Sequence, residues 1–495
     1  MGKHQILVAS NRGPVSFALS DDGRLTARRG GGGLVSGLSS VVGSDPDALW
    51  ICAALTDADR AAARHAPGGR LDLDGHDIGA AVQMLDIPPV MFHRAYNGVA
   101  NSTLWFVHHL LYDMPNRPHF GLAWQREWES YRSYNAAFAT ALASGASAAT
   151  DERADGTVSG TGRGNARALV QDYHLTLVPR MLRDAHPALR IAHFSHTPWA
   201  PPDYYQVLPD RVARQVLDGI LGADHAGFLC DRWARAFLAC CAEFLDADVD
   251  MAHRTVAYRG RVTRVEVHAL GVDGAELRAR ASATDVGSRM QPLREVVGDR
   301  KLIVRIDRTE LSKNIVRGLA AYRELLATRP QWHGRVVHLA FAYPSRHDLP
   351  EYREYTASVL RIASEIEDEF GTDDWNPLLL DVNDDYPRSL AAYRLADVLL
   401  VNPIRDGMNL VAKEGPVLAE RGCALVLSRT AGAAAELGDD ALLVNPFDIS
   451  ATADALHRAL TMSSSERLAR CARLKKAATA LPPRKWFADQ LRALG

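Results

Sequence analysis

The chain has 495 residues, 47% of them hydrophobic and 23% charged, so it is globular and long enough for two large domains or three smaller ones. Lysine plus arginine total 57 against 59 for aspartate plus glutamate, and the net charge of −2 excludes an overall basic field that would recruit nucleic acid or a membrane. Local arginines must therefore bind any anionic ligand.

Six cysteines are scattered along the chain without CxxC spacing, which argues against both a zinc site and a disulfide framework. Reduced thiols of this kind are typical of a cytosolic protein. The apolar run near the N-terminus is only about six residues long, too short for a signal peptide or a membrane span. We therefore expect a cytoplasmic protein.

Short β-branched runs alternate with longer amphipathic segments along the chain. The predicted strands include Gln5–Ala9, Ala168–Gln171, Arg190–Phe194, Lys301–Ile306, Arg335–Phe341, Leu378–Asp381, Val398–Val401 and Ala424–Leu427. The predicted helices include Arg126–Ala143, Pro209–Leu221, Asp231–Leu245, Asn314–Thr328 and Tyr352–Phe370. Strands separated by helices of this length predict βαβ units, and hence parallel sheets that bind ligands at their C-terminal edges.

A domain boundary is predicted near Gly271. The first set of βαβ units ends at Val267–Leu270, and the second begins after a polar, alanine-rich stretch, Val272–Gly298. A further stretch, Ala143–Gly164, is rich in small residues and lacks periodicity, which predicts a mobile surface insertion. We expect an N-terminal domain at 1–270, a C-terminal domain at 271–480 and a helix at 481–495 that docks back on the N-terminal domain.

Polar residues follow the predicted strands of the N-terminal half. Arg12 closes the first strand, while Asp172 and His196 stand at the ends of two others. A lone residue of these types is more often a satisfied structural group than a ligand. Tyr96 and Trp105 lie nine residues apart, and their rings either line a sugar-binding site or pack in the core.

A glycine-rich turn, Arg29–Gly33, precedes an apolar run. Such a turn before a helix lets the backbone approach a phosphate closely. Its consecutive glycines fit no GxGxxG fingerprint, so dinucleotide binding is only weakly indicated.

Cations follow two strands of the C-terminal half. Arg308 and Lys313 come just after Lys301–Ile306, and Arg346 follows Arg335–Phe341. An arginine fork and a lysine point charge at this spacing can grip one diphosphate. Taken alone, each is more often a solvated surface charge.

The segment Arg405–Glu414 (RDGMNLVAKE) follows an apolar strand-like run and opens a helix-like segment. A strand that turns through glycine into a helix presents free amides and a positive dipole end, which suits a diphosphate attached to a sugar. In this interpretation the backbone amides of Leu410 and Val411 bind the sugar diphosphate. Asp406 binds the sugar and Glu414 binds the ribose hydroxyls. An ordinary helix cap with two solvated acids is the alternative.

Together these residues resemble the motifs of trehalose-6-phosphate synthases. Their order and spacing match from the first strand to the C-terminal helices, so the resemblance covers nearly the whole chain. The segments that carry it are SNR at 10–12, GGL at 32–34, DYHL at 172–175, Arg308 with Ser312-Lys313, PSR at 344–346, RDGMNLVAKE at 405–414, SRTAGAAAEL at 428–437 and LVNPFD at 443–448.

The resemblance implies an α/β protein of the GT-B fold, in which two Rossmann-like domains with parallel sheets face each other across a deep cleft. It implies transfer of glucose from a nucleoside diphosphate glucose to glucose 6-phosphate with retention of configuration, giving trehalose 6-phosphate. The implied partners are these two small molecules, without nucleic acid or membrane. Assembly of the chain into a homo-oligomer is left open.

Matching positions carry the family's site residues onto this sequence. The resemblance implies an acceptor site of Arg12, Tyr96, Trp105, Asp172 and Arg346, with the two arginines on the acceptor phosphate. It implies a donor site of Gly32, Gly33, His196, Arg308, Lys313, Tyr386, Asp406, Asn409, Leu410, Val411 and Glu414. The catalytic residues among these are Asp172, His196, Arg308, Lys313 and Asp406.

The implied chemistry needs no metal or other cofactor, because Arg308, Lys313 and helix-end amides can stabilise charge on the departing diphosphate. The pair Asp384–Asp385 is expected to be a solvated loop pair rather than a metal site. No carboxylate nucleophile is compelling. A front-face mechanism, in which the leaving phosphate oxygen receives the acceptor proton, fits better.

Several positions depart from the family pattern. Gln171 replaces the histidine that commonly precedes DYHL, and TELS at 309–312 replaces Leu-Asp-Tyr-Ser. Pro416 is expected to kink the helix that carries the motif. Tyr386 stands at a usual phenylalanine position, where the base should stack. The base is therefore open among uridine, guanosine and adenosine.

Two other functions stay open. One is a related sugar-coupling enzyme with a different acceptor, such as a glucosylglycerol-phosphate synthase or a pseudo-glycosyltransferase, and the complete acceptor set argues against it. The other is a catalytically silent homologue that binds sugar phosphates as a regulatory subunit. The complete donor set argues against that alternative.

Overall fold

Parallel strands alternate with helices in both halves of the chain, as the sequence pattern predicts. The computed structural model describes residues 6–19, 24–29, 48–71, 73, 80–151, 166–346 and 348–495, and of residues 148–151 the backbone alone. The chain divides into two units, Met1–Ala269 with Pro483–Gly495, and Leu270–Pro482. The last helix, Pro483–Ala493, therefore groups with the first unit.

The first unit is built on a ten-stranded sheet and a two-stranded hairpin. Its strands are β1 Ile6–Ala9, β2 Val15–Leu19, β3 Leu25–Arg29, β4 Ala48–Ala53, β5 Arg70–Leu71, β6 Ala81–Leu85, β7 Arg167–Gln171, β8 Arg190–Ser195, β9 His225–Phe228, β10 Asp248–Asp250, β11 Thr255–Tyr258 and β12 Arg261–Val267. The sheet order is β10-β11-β12-β9-β8-β7-β1-β4-β6-β5, and neighbours from β12 through β6 run parallel. β4 and β9 are buried along their whole length, as parallel strands with both faces covered must be.

The helices of the first unit are Asp57–His65, Pro89–His93, the π-helix Arg94–Leu104, Trp105–His109, Leu122–Asp151, Val178–Ala185, Pro202–Tyr205, Asp210–Ile220, Asp231–Phe244 and Pro483–Ala493, with 3₁₀ turns at Pro67–Gly69 and Tyr173–Leu175. Residues 143–151, expected to begin a surface insertion, instead continue the helix Leu122–Asp151. Alanine there favours the helix despite the lack of amphipathic periodicity. Residues 152–165, the rest of that expected insertion, lie outside the described residues.

The second unit is built on a six-stranded sheet in which all neighbours run parallel. Its strands are β13 Lys301–Arg308, β14 Val336–Tyr343, β15 Leu378–Asp381, β16 Val398–Val401, β17 Ala424–Ser428 and β18 Leu442–Val444. Their order, β15-β14-β13-β16-β17-β18, is the 3-2-1-4-5-6 order of a Rossmann sheet. In the first unit β6-β4-β1-β7-β8-β9 repeats the same order. The expected α/β class with parallel sheets is confirmed.

The helices of the second unit are Gly274–Ala281, Thr284–Val297, Ile315–Thr328, Pro350–Phe370, Tyr386–Leu395, Val411–Leu418, Ala434–Leu437, Ile449–Thr461 and Ser464–Ala478, with 3₁₀ turns at Leu311–Lys313 and Pro330–Trp332. The alanine-rich stretch after the predicted boundary thus holds two helices. Pro416 lies inside Val411–Leu418, which ends two residues later.

Asp385 is not the solvated loop residue that the sequence suggests. Its carboxylate accepts a hydrogen bond from the Arg388 amide and so caps the helix Tyr386–Leu395. It also pairs with Arg289, at 2.7 Å between Asp385 Oδ2 and Arg289 Nε. The acid therefore has a structural role.

All six cysteines are buried free thiols. Within the described part of the chain, no helix combines the length and the apolar character needed to cross a membrane.

Candidate active site

Four of the expected site residues follow the strands at which the strand order reverses in each sheet. In open parallel sheets, ligands bind beyond the carboxyl ends of the strands at this switch point. In the first unit the reversal lies between β1 and β7, whose ends lead into Arg12 and Asp172. In the second unit it lies between β13 and β16, whose ends lead into Lys313 and Asp406. Each unit therefore offers one binding position.

Arg12 follows β1 on a backbone that buried side chains hold in place. The Ser10 hydroxyl donates to the Arg12 carbonyl at 2.7 Å, and the Trp50 indole donates to the Ser10 hydroxyl at 2.8 Å. The Tyr134 hydroxyl donates to the Asn11 side-chain oxygen at 2.6 Å. The Arg12 side chain itself is exposed, so a fixed backbone presents an accessible guanidinium.

Asp172 has a strained backbone, with φ at 75°. A non-glycine residue in this region costs on the order of 1–3 kcal/mol and persists only where its surroundings enforce it. Here its amide donates to the Phe194 carbonyl at 2.7 Å, and its carboxylate accepts from the His196 amide at 3.2 Å. The same carboxylate lies 3.9 Å from His174 Nδ1. The carboxylate is thereby fixed at the end of β7.

Tyr96 and Trp105 are brought to one side of a helix by an 11-residue π-helix, Arg94–Leu104. In an α-helix, residues nine apart lie two and a half turns apart and face opposite ways. A π-helix winds about 4.4 residues into each turn, so the same spacing returns to one face. The contacts agree, because Tyr96 stacks on His174 at 5.5 Å and Trp105 contacts Tyr173 at 5.7 Å between ring centroids. Trp105 is 9% exposed, so it also fills the core.

His196 is held as a neutral imidazole. Its Nε2 hydrogen-bonds the Gln171 side-chain oxygen at 2.9 Å, so the glutamine that departs from the family pattern still orients it. Burial lowers the pKa of His196 to about 3. Its ring also lies 5.4 Å from that of Trp486, on the last helix of the same unit.

Lys313 is not a surface charge. Its Nζ lies 2.6 Å from Asp406 Oδ2, and each side chain is 16% exposed. Asn409, with φ at 75°, donates to the same carboxylate oxygen at 3.1 Å. Burial alone would lower the pKa of Lys313, but the charges of Asp406, Asp307 and Glu310 raise it. The lysine therefore stays charged at neutral pH.

Arg308 and Arg346 lie at the carboxyl ends of the neighbouring strands β13 and β14, Arg346 three residues beyond β14. Arg308 is the last residue of β13 rather than a residue beyond it; its side chain is 55% exposed and pairs with Glu310 at 3.0 Å. Arg346 has φ at 47° and donates to the Tyr352 hydroxyl at 2.7 Å. Arg346 thus lies in the second unit, whereas the other expected acceptor residues lie in the first.

The RDGMNLVAKE segment forms the expected turn into a helix, Val411–Leu418, with Leu410 at its N-cap. Amides of the first turn have no acceptor inside the helix and leave a partial positive charge there. The preceding turn packs on Gly432, where an added Cβ would come within 1.9 Å of the Gly407 carbonyl oxygen. The glycine in SRTAGAAAEL therefore allows this close approach.

Glu414 is half-buried on that helix, where the Tyr393 hydroxyl donates to it at 3.3 Å. Burial raises the pKa of the Glu414 carboxyl to about 7. Tyr386 is 47% exposed, and the Arg280 guanidinium lies 5.8 Å above its ring. Gly32 and Gly33 lie outside the described residues.

The sequence analysis did not identify two buried charged residues that lie next to the candidate site residues. Glu310 lies between Arg308 and Lys313 and is 0% exposed. Lys413, inside RDGMNLVAKE, has a wholly buried side chain that pairs with Glu436 at 2.5 Å. A charged residue within a motif was the available signal, but burial could not be read from one sequence.

Comparison with known proteins identifies the family of this chain. The family model described as glycosyltransferase family 20 matches residues 4–495. The α,α-trehalose-phosphate synthase (UDP-forming) 2 of Aspergillus niger is 31% identical, over 96% of this chain and 93% of the relative. The validamine 7-phosphate valienyltransferase of Streptomyces hygroscopicus subsp. jinggangensis is 29% identical, over 99% of this chain and 94% of the relative.

Among solved structures, that of an α,α-trehalose-phosphate synthase (UDP-forming) from Burkholderia vietnamiensis has a TM-score of 0.82 and 29% identity, covering 99% of this chain and 97% of that one. The chain spans between 47% and 63% of the length of three other curated relatives. The resemblance to trehalose-6-phosphate synthases, with their GT-B architecture, is confirmed, and the chain belongs to glycosyltransferase family 20.

Proposed function

We propose that the protein transfers glucose from a nucleoside diphosphate glucose to glucose 6-phosphate, with retention of configuration, and so makes α,α-trehalose 6-phosphate. One observation carries the proposal: the ion pair of Lys313 with Asp406 at a helix N-terminus, on the switch point of the second unit. This arrangement offers a cation and free amides to a diphosphate and a carboxylate to the attached sugar. Membership of the glycosyltransferase family supports it.

The second unit supplies the donor-binding groups. As the anomeric bond breaks, negative charge grows on the departing diphosphate, and Arg308, Lys313 and the amides of Leu410 and Val411 would stabilise it. The ion pairs of Arg308 with Glu310 and of Lys313 with Asp406 support this assignment. We propose that these groups suffice without a metal. Asp406 would hold the glucose and at the same time fix Lys313. Asn409 would in turn orient Asp406.

The first unit supplies most acceptor-binding groups. Arg12 would meet the phosphate of glucose 6-phosphate, together with Arg346 of the second unit. Asp172 would accept hydrogen bonds from the sugar hydroxyls, and Tyr96 and Trp105 would pack against its ring. In the front-face reaction, the acceptor's anomeric hydroxyl forms the new bond on the face that the diphosphate leaves. Its proton passes to the departing phosphate oxygen.

A donor screen tests the proposal. Purified protein is incubated with glucose 6-phosphate and, in turn, UDP-, GDP- or ADP-glucose, and nucleoside diphosphate release is followed. We expect release with at least one donor, only when glucose 6-phosphate is present, and no loss of rate in EDTA. Release with none of the donors would favour the catalytically silent homologue instead.

Donor binding should weaken as pH falls through about 7. The ionised Glu414 carboxylate accepts hydrogen bonds from both ribose hydroxyls, and its raised pKa means that it is protonated below that pH. We expect the Kd of the nucleoside diphosphate glucose, measured by calorimetry, to rise roughly three- to tenfold between pH 8 and pH 6. Glu414→Gln should bind weakly at both values. A Glu414→Gln variant that binds the donor as tightly as wild type at pH 8 would exclude the ribose role.

A sugar-coupling enzyme with a different acceptor is the second candidate. The Streptomyces relative, whose name describes transfer to validamine 7-phosphate, spans nearly the same length at 29% identity. The same screen separates the two candidates when glucose 6-phosphate is replaced by other sugar and cyclitol phosphates. Release that is faster with one of these than with glucose 6-phosphate would favour the second candidate.

A further inference from the structure

Glu310 carries a buried carboxylate between the ends of β13 and β14. The residue is 0% exposed. Its Oε1 accepts the Ser345 hydroxyl at 3.0 Å and lies 3.0 Å from Arg308 Nη1. Burying a carboxylate costs several kcal/mol unless charges and hydrogen bonds offset it. The arrangement around Glu310 supplies both.

The Ser345 bond reaches the next arginine along the chain. Ser345 directly precedes Arg346, whose φ of 47° needs support from its surroundings. The two strand ends are joined beside it, because the Thr309 amide donates to the Tyr343 carbonyl at 2.6 Å. One carboxylate thus holds Arg308 by an ion pair and the backbone of Arg346 through a hydroxyl.

The Glu310 carboxyl is ionised at neutral pH. Burial would raise the pKa of its carboxyl, but the positive charges of Arg308, Arg346 and Lys313 hold it at about 2. Its other oxygen, Oε2, is buried and has no hydrogen-bond partner among the described residues. The charge of Glu310 acts on the cations around it, Arg308, Arg346 and Lys313.

We propose that Glu310 is a positioning residue that sets two phosphate-binding arginines at once, Arg308 directly and Arg346 through Ser345. The inference rests on the proposed function, in which Arg308 meets the donor diphosphate and Arg346 the acceptor phosphate. A shared anchor keeps the two guanidiniums at a fixed separation. Removing the charge loosens Arg308 and also removes the attraction between Glu310 and Arg346, whereas removing the hydroxyl loosens Arg346 alone.

Three variants test this role. Glu310→Gln keeps the shape and an acceptor for Ser345 but removes the charge. Ser345→Ala removes only the hydroxyl bond. Glu365→Gln is the matched control, because its ion pair with Arg323 is exposed and lies outside the site. Thermal unfolding of each variant shows that it is folded at the assay temperature.

We expect Glu310→Gln to lower kcat roughly 10- to 100-fold and to weaken the binding of inorganic pyrophosphate, a base-independent probe of Arg308, by about tenfold. Ser345→Ala should raise KM for the acceptor about three- to tenfold, with kcat and pyrophosphate binding near wild type. Glu365→Gln should match wild type throughout. A residue that only stabilises the fold is not expected to separate the effects on kcat and pyrophosphate binding from the effect on the acceptor KM in this way.

Wild-type pyrophosphate binding by a folded Glu310→Gln variant would overturn the inference, as would a Ser345→Ala variant in which donor and acceptor constants change equally. If Glu310→Gln does not fold, the donor and acceptor constants of Ser345→Ala alone test the inference. Pyrophosphate binding does not depend on turnover. A wild-type protein without transfer activity would therefore contradict the proposed function, while the binding comparison still judges Glu310.

Discussion

Replacing Arg308 or Lys313 with alanine is expected to lower turnover by roughly ten- to a thousandfold, because each change removes one preorganised charge-stabilising group. The two residues act on the same developing charge but differ in setting. Lys313 is 16% exposed and pairs with Asp406, whereas Arg308 is 55% exposed and pairs with Glu310. Lys313→Ala also leaves Asp406 without its cation, so it should have the larger effect.

The measurement is kcat with the donor that the screen selects. Arg323→Ala is a suitable control, because Arg323 is an exposed arginine whose ion pairs with Glu365 and Glu369 lie on the surface. It should retain wild-type kcat. Near-normal turnover in both Arg308→Ala and Lys313→Ala would defeat the proposed mechanism.

Lys413→Ala is expected to lower the free energy of unfolding by about 3–5 kcal/mol. The wholly buried ammonium lies 2.5 Å from Glu436 and donates to the Leu270 carbonyl at 2.8 Å. Truncation leaves Glu436, only 20% exposed, without its partner. Lys413 therefore ties the helix that follows Asp406 to the rest of its unit, and urea denaturation measures the loss.

Lys485→Ala provides the comparison for this stability effect. That lysine is 47% exposed and pairs with Asp489 one turn along the last helix. Exposed pairs of this kind contribute about 0–1 kcal/mol. Equal losses in the two variants would show that the Lys413 pair contributes no more than a surface pair.

The positions of several candidate site residues were readable from the sequence because these residues follow strands. Asp172, His196 and Arg346 all stand just after apolar runs, and parallel sheets gather such positions at one edge. The motif at 405–414 was recognisable because glycine after a strand and before a helix is a local signal. Right-handed βαβ connections limit the strand orders that the second unit can adopt, but they do not select 3-2-1-4-5-6 among them.

Other features depend on tertiary structure. The nine-residue spacing of Tyr96 and Trp105 places them on one face only in a π-helix, which local sequence signals do not specify. The burial of Glu310 and Lys413 follows from packing across strands and helices far apart in sequence. The positive φ of Asp172 is imposed by its hydrogen bonds to Phe194 and His196.

The product of the reaction tests the central claim most directly. The donor that supports release, labelled with ¹³C at C1 of its glucose, is incubated with glucose 6-phosphate, and the product is examined by NMR. We expect one disaccharide phosphate in which both anomeric carbons share a 1,1 linkage and both anomeric protons show the small coupling of an α configuration. A β coupling, a linkage to any other carbon, or labelled free glucose as the main product would contradict the account.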